Sequence, residues 1–201
     1  MMRTFELLKR CRGKGILLNG KKLQLHKEEI QFLGHRISAK GLQLDPDEIS
    51  AIQEMMAPID VPGVQRRLGM VQYLSRFLPN LAEVIGLLRL IIREDTEFGW
   101  IAEHENVFVE MKQLLSNTPV LIYYDGQKDL EIQCDACDKG LGATLMQEGQ
   151  PIAFGSRALT DVEGRYAPIE KKLLAVVWAM ERYHQYTFNN RTAVYSDHRP
   201  L

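Results

Sequence analysis

Hydrophobic positions recur along this chain with a period that changes from stretch to stretch. Residues 3–12 read as a basic helix closed by Gly13 and Gly15. Two strand-like runs follow, at 16–18 and 30–37, and Lys40-Gly41 turns the chain into 42–44. From Asp45 the period lengthens to three and four. Asp45 is an N-cap residue, Pro46 suits a first helical position, and Asp47 and Glu48 favour the first turn. That helix ends near Ala57-Pro58. Asp60 caps a second helix, whose stripe of Leu68, Val71, Leu74 and Leu78 stops at Pro79-Asn80. A third helix is predicted over 81–92, with Val84, Leu87, Leu88 and Ile91 on one face. A fourth, over 102–116, turns Val107, Met111 and Leu114 inward before Pro119.

From Val120 the period becomes two. Residues 130–134 alternate as a half-buried strand, 142–147 and 151–156 follow, and Glu148-Gly149-Gln150 joins them as an antiparallel turn. Pro168 opens a helix predicted to bury Ile169, Leu173, Val176, Val177 and Met180. A last strand spans 192–196. A helix between two strands implies a crossover, so this strand is expected to lie parallel to an earlier one. The fold class is therefore α+β or α/β: a small sheet, a helical middle, then a mixed sheet with helices. Only one covering helix is visible after the meander, so the last region reads as truncated at its C-terminal end.

Charge sharpens this division. Residues 1–44 carry 10 Lys/Arg against 3 Asp/Glu, and the other 157 carry 15 against 23. A basic segment on an acidic body fits a nucleic-acid contact, or simply a solvated face. No apolar run approaches the ~18 residues of a membrane span, and the first residues lack the apolar core of a signal peptide. Three cysteines cannot all pair, so an intracellular, reducing compartment is expected. Cys134-x-x-Cys137 is half of a zinc or redox motif, with no second pair to complete it.

Three acids stand at element ends. Asp135 follows the strand ending at Cys134, Glu170 lies in the first turn of the helix, and Asp197 follows the last strand. If the first and last strands are neighbours, Asp135 and Asp197 emerge side by side and the helix can add Glu170. Converging carboxylates repel one another unless a cation lies between them, and hard oxygen donors suit Mg²⁺ or Mn²⁺. Spacing alone equally allows two turn caps and an acid complementing a helix dipole.

The text around these acids resembles the ribonuclease H domain of long-terminal-repeat retrotransposons. The stretch 134–143, Cys-Asp-Ala-Cys-Asp-Lys-Gly-Leu-Gly-Ala, is similar to the family's first catalytic-aspartate motif. Ala153-Phe154-Gly155-Ser156 resembles the next strand. Tyr166, Ile169-Glu170-Lys171 and 174–179 resemble the glutamate helix, and Tyr195-Ser196-Asp197-His198 the second aspartate motif. Upstream, Leu18-Asn19, Lys21-Lys22 and Phe32-Leu33-Gly34-His35 resemble the end of a gypsy-type reverse-transcriptase palm, with 32–35 as its primer-gripping hairpin. Leu68-Gly69, Tyr73 and Arg76-Phe77-Leu78-Pro79-Asn80 resemble the thumb.

The resemblance implies a piece of a Pol polyprotein, joined to other Pol domains: a palm remnant at 1–44, a thumb at 45–95 and a C-terminally truncated ribonuclease H-like domain at 96–201. Asp135, Glu170 and Asp197 would then be catalytic and bind two Mg²⁺ or Mn²⁺ ions, which cleave the RNA of an RNA–DNA hybrid. Lys21, Lys22, Phe32, Leu33, Gly34, His35 and Arg36 would contact hybrid or primer–template duplex. The polymerase aspartate pair of the family has no counterpart, since no Asp-Asp occurs. The family's fourth metal-binding residue would lie past Asp197, beyond Leu201. The alternative is a module that binds nucleic acid without cutting it.

Overall fold

A computed structural model describes residues 2–22, 24, 27–93 and 97–196 of the chain. It is a mixed α+β structure with two sheets. Helix α1 (Met2–Gly13) precedes a three-stranded antiparallel sheet, β1 (Glu29–Phe32), β2 (His35–Ser38) and β3 (Gly41–Leu44). The run 30–37, predicted as one strand, is a hairpin: Leu33 and Gly34 both take positive φ, 50° and 71°, and reverse the chain in two residues. Residues 16–18, also predicted as a strand, form none.

The helical middle starts where its caps predict. Asp45 accepts a hydrogen bond from the Asp47 N–H at the head of α2 (Pro46–Gln53), and Asp60 accepts one from Gly63 N–H at 2.7 Å in α3 (Val61–Tyr73). Caps of this kind contribute about 1 kcal/mol each. The helix predicted over 81–92 is broken at Ile85 into α4 (Leu81–Val84) and α5 (Gly86–Leu90). Ile85 is fully buried, and Gly86 next to it is a poor helix former.

Helix α6 (Ala102–Ser116) buries Phe108, Met111 and Leu115 with the α2–α5 residues in one core, which also takes Leu44 and Leu121. Its inner face therefore lies near the expected one. Backbone bonds between Leu42 and Leu121, 2.8 and 2.9 Å long, tie the small sheet to the segment that enters the second half.

The second sheet has the order β6-β5-β4-β7, from β4 (Leu130–Ala136), β5 (Gly140–Gln147), β6 (Gln150–Ala158) and β7 (Thr192–Ser196). Strands β4, β5 and β6 form the expected antiparallel meander, and β7 runs parallel to β4 as the crossover implied. One face is covered by α7 (Pro168–Arg182). The 75–84 segment packs against β6, and the Ala82 N–H donates to Ser156 Oγ at 2.9 Å. The sheet is thus held to the helical middle.

The predicted inner face of α7 needs correction. Val176 and Met180 pack against the sheet core as expected, but the buried positions are Lys171, Ala175 and Ala179, and Ile169, Leu173 and Val177 are exposed. Small residues let the helix axis approach the sheet, and close approach outweighs the bulk of the apolar stripe. Tyr183 follows α7 and donates to the carbonyls of Ala143 and Ala153, at 3.0 and 3.3 Å. The loop after β6 is clamped by Arg157, whose guanidinium makes two bonds to Glu163. Those bonds, with the Thr160 N–H, hold the Glu163 carboxyl down at about 2. Among the described residues, no helix is long and apolar enough to cross a membrane.

Candidate functional site

Two surfaces gather the residues that the sequence singled out. The first is the C-terminal end of β4. Ile132 and Cys134 point into the core, so the intervening Gln133 and the following Asp135 are left exposed. Asp135 Oδ1 accepts from the Ala136 N–H at 2.7 Å. Strand β7 ends beside it, with Ser196 paired to Cys134. Asp197 and His198 lie outside the described residues. Pro79 and Asn80 approach from the helical middle. With Gln133, Asp135, Thr144 and Tyr195 they line an open cleft of about 460 Å³.

The first turns of α7 reach this end of β4 with lysines. Lys172 Nζ stands 3.4 Å from Asp135 Oδ1, and Lys171 Nζ stands 3.0 Å from Asp138 Oδ1. Glu170 does not join them. Its carboxylate turns back and accepts from the Ala167 N–H at 2.8 Å, closing the start of its own helix. Helical geometry explains the split. Successive residues are about 100° apart, so residues two apart face nearly opposite ways. A helix that aims Lys172 at Asp135 aims Glu170 elsewhere. Among the described residues, no three His, Cys, Asp or Glu side chains converge as a metal would need.

Electrostatics at this end follow from those contacts. An ammonium already balances Asp135, and a dication about 4 Å from it would be repelled by roughly 8 kcal/mol at an effective dielectric of ~20. Lysine has no lone pair to offer while it is protonated. The Cys134-x-x-Cys137 pair is no ligand set either. Burial pushes the Cys134 thiol up to about 11, while the Cys137 N–H closes a turn on Gly140 O.

The second surface is the β1–β2 hairpin. Phe32 and Leu33 at its tip are 60% and 67% exposed, unusual for large apolar side chains. The hairpin is pinned from behind. Tyr73 of α3 donates to Leu33 O at 2.9 Å, and Gly34 O accepts from the Asp45 N–H. His35 is turned inward, its ring 5.7 Å from Tyr73 and 5.1 Å from Phe77, so it anchors the hairpin. Arg36 is paired with Glu29 at 3.4 Å. Lys21 and Lys22 lie exposed on a short helical turn, whose start Asn19 holds through the Lys21 N–H.

Sequence reasoning passed over Lys171 and Lys172, and with them the ion pairs to Asp138 and Asp135. The signal was present in the small residues Ala175 and Ala179, spaced by four, which mark the sheet-facing side. Counting back from them by four reaches Lys171, with Lys172 beside it.

Comparison with known proteins agrees over both halves. Residues 100–194 match the model of the RNase H-like domain found in reverse transcriptase. The chain is 33% identical over 181 residues to the retrovirus-related Pol polyprotein from transposon 297 of Drosophila melanogaster, covering 90% of this chain and 17% of that protein. It is 31% identical over 195 residues to the corresponding polyprotein from transposon gypsy of the same organism, covering 90% and 19%. The chain thus spans under a fifth of the length of these relatives. Among solved structures, a foamy viral protease-reverse transcriptase in complex with RNA/DNA hybrid superimposes with a TM-score of 0.80. The identity is 26%, over 90% of this chain and 25% of that one. The same viral protein in complex with dsDNA gives 0.79 at 26% identity, over 90% and 40%.

Proposed function

Since residues 100–194 are an RNase H-like domain of the reverse-transcriptase kind, in a chain homologous to gypsy-type retrotransposon Pol polyproteins, we propose that this chain holds RNA–DNA hybrid or primer–template duplex without cutting it. Lys21 and Lys22 supply phosphate contacts. Phe32 and Leu33 press on the strand from a hairpin whose shape Gly34, His35 and Arg36 maintain. The observation that carries this reading is the exposed apolar tip, Phe32 and Leu33, pinned from behind by the Tyr73 bond to Leu33 O. The hybrid bound by the foamy viral relative supports the ligand class. We also propose the division into a palm remnant at 1–44, a thumb at 45–95 and the RNase H-like region from 96. Within it, α6 shares the thumb's core.

Hydrolysis is the competing reading. The RNase H-like family generally uses a divalent metal, and Asp135, Glu170 and Asp197 would hold two Mg²⁺ or Mn²⁺ ions. The donors among the described residues do not fit that group. Glu170 Oε2 accepts a bond at its own helix start, and Lys172 faces Asp135. Asp197, the third expected donor, lies outside the described residues, and no group of three such donors converges among those described.

The binding reading is tested by fluorescence anisotropy of a labelled RNA–DNA hybrid across a salt series. Affinity is expected to fall steeply with salt, and each phosphate contact contributes about 0.9 to the log–log slope. Changing Lys21 and Lys22 together to alanine is expected to flatten the slope by about 1–2. An affinity indifferent to salt rejects the proposal.

A further inference from the structure

We infer that the β4 end of this RNase H-like domain is closed by an internal cation: Lys172 stands where the helix would have to present an acid for a divalent ion to bind at Asp135. This rests on the domain assignment above, and not on nucleic-acid binding.

Three contacts carry it. The Lys172 ammonium lies 3.4 Å from Asp135 Oδ1, and its side chain is only 16% exposed although Asp135 is 63% exposed. The lysine stem is therefore packed along the domain, and the ammonium is delivered to the carboxylate from below. One residue earlier, Lys171 makes the same kind of approach to Asp138, from a side chain that is 8% exposed. The one acid of this turn, Glu170, accepts from the Ala167 N–H at its own helix start.

The α7 start thus sends two ammonium groups and no carboxylate to the β4–β5 loop. A hard dication needs several converging oxygens. Here a monovalent cation, covalently part of the chain, takes its role in balancing Asp135. On the α7 side, Asp135 is balanced by the chain's own ammonium. A single exchange, Lys172→Glu, would place a second carboxylate at Asp135 and convert it to an ion-binding pair.

Mn²⁺ alone is the probe, followed through the loss of its free-ion electron paramagnetic resonance signal as the full chain is added. The unaltered chain and Asp135→Asn are expected to give the same weak loss. Lys172→Glu is expected to bind Mn²⁺ at least about tenfold more tightly, the scale on which a changed partner alters metal sites. Adding Asp135→Asn to it is expected to abolish the gain. Mn²⁺ binding by the unaltered chain that disappears in Asp135→Asn overturns the inference, as does Lys172→Glu folding normally by circular dichroism without any gain. If Lys172→Glu does not fold, Lys172→Gln replaces it. Removing the charge is then expected to give a smaller gain dependent on Asp135, and no gain overturns the inference. No nucleic acid enters this titration, so failure of the duplex-binding proposal leaves its outcome intact.

Discussion

Phe77→Ala is expected to lower the stability of the chain by about 3–5 kcal/mol, the range for deleting a fully buried aromatic ring. Phe77 has no exposed surface and meets the His35 ring edge to face at 5.1 Å. It lies in the 75–77 turn that packs on β6, so its loss opens the helical core and loosens the join to the second sheet. The hairpin behind Phe32 loses its anchor as well, and hybrid affinity is expected to fall with stability. Phe77→Leu keeps most of the volume and should cost clearly less, roughly 1–1.5 kcal/mol. Urea unfolding followed by circular dichroism checks both. A loss below about 1 kcal/mol for alanine contradicts the packing described.

Gly41→Ala is the second large effect. Gly41 has φ of +139°, and a Cβ built there would lie 2.2 Å from Leu121 O. That oxygen accepts the Leu42 N–H, and Leu121 N–H donates back to Leu42 O. The substitution therefore strains the backbone and breaks a two-bond bridge, a combined cost of about 2–4 kcal/mol. It also frees the small sheet from the segment that leads into β4. Gly69→Ala is the matched control. Gly69 lies in α3 with open space where a Cβ would go, and alanine there should stabilise by about 0.5–1 kcal/mol. Thermal unfolding of the two variants should thus move in opposite directions. A Gly41→Ala variant that unfolds no more easily than the unaltered chain rejects the role given to the Gly41 bridge.

Local chemistry made much of the fold legible. Asp45-Pro46 and Asp60 announce helices because capping is settled within a few residues. The alternation at 130–134 announces a strand because one of its faces is buried. The parallel β7 followed from a helix placed before a strand. The parts that were not legible depend on partners distant in sequence. Leu33 at positive φ is a choice few leucines make, and here Tyr73, forty residues on, offsets the cost by bonding Leu33 O. The face of α7 differs from the expected one because closeness of approach outweighs apolar bulk, and the buried set is Lys171, Ala175 and Ala179.

The same rotation decides the site. The sequence placed Glu170 near Asp135 because its helix was expected to pack across the ends of the first and last strands. With Ala175 and Ala179 inward, Lys171 and Lys172 take that place. The aspartate at 135 is visible from its motif, whereas its counter-ion is set by the rotation of a helix. That rotation is fixed by packing against the sheet, which no local motif records.

Binding without cleavage is decided by incubating the full chain with an end-labelled RNA–DNA hybrid in Mg²⁺ or Mn²⁺, with retained and cleaved RNA resolved side by side on native and denaturing gels. The expected result is a shifted complex containing full-length RNA, the same for the unaltered chain and for Asp135→Asn. Metal-dependent RNA fragments that vanish in Asp135→Asn would contradict the proposed function.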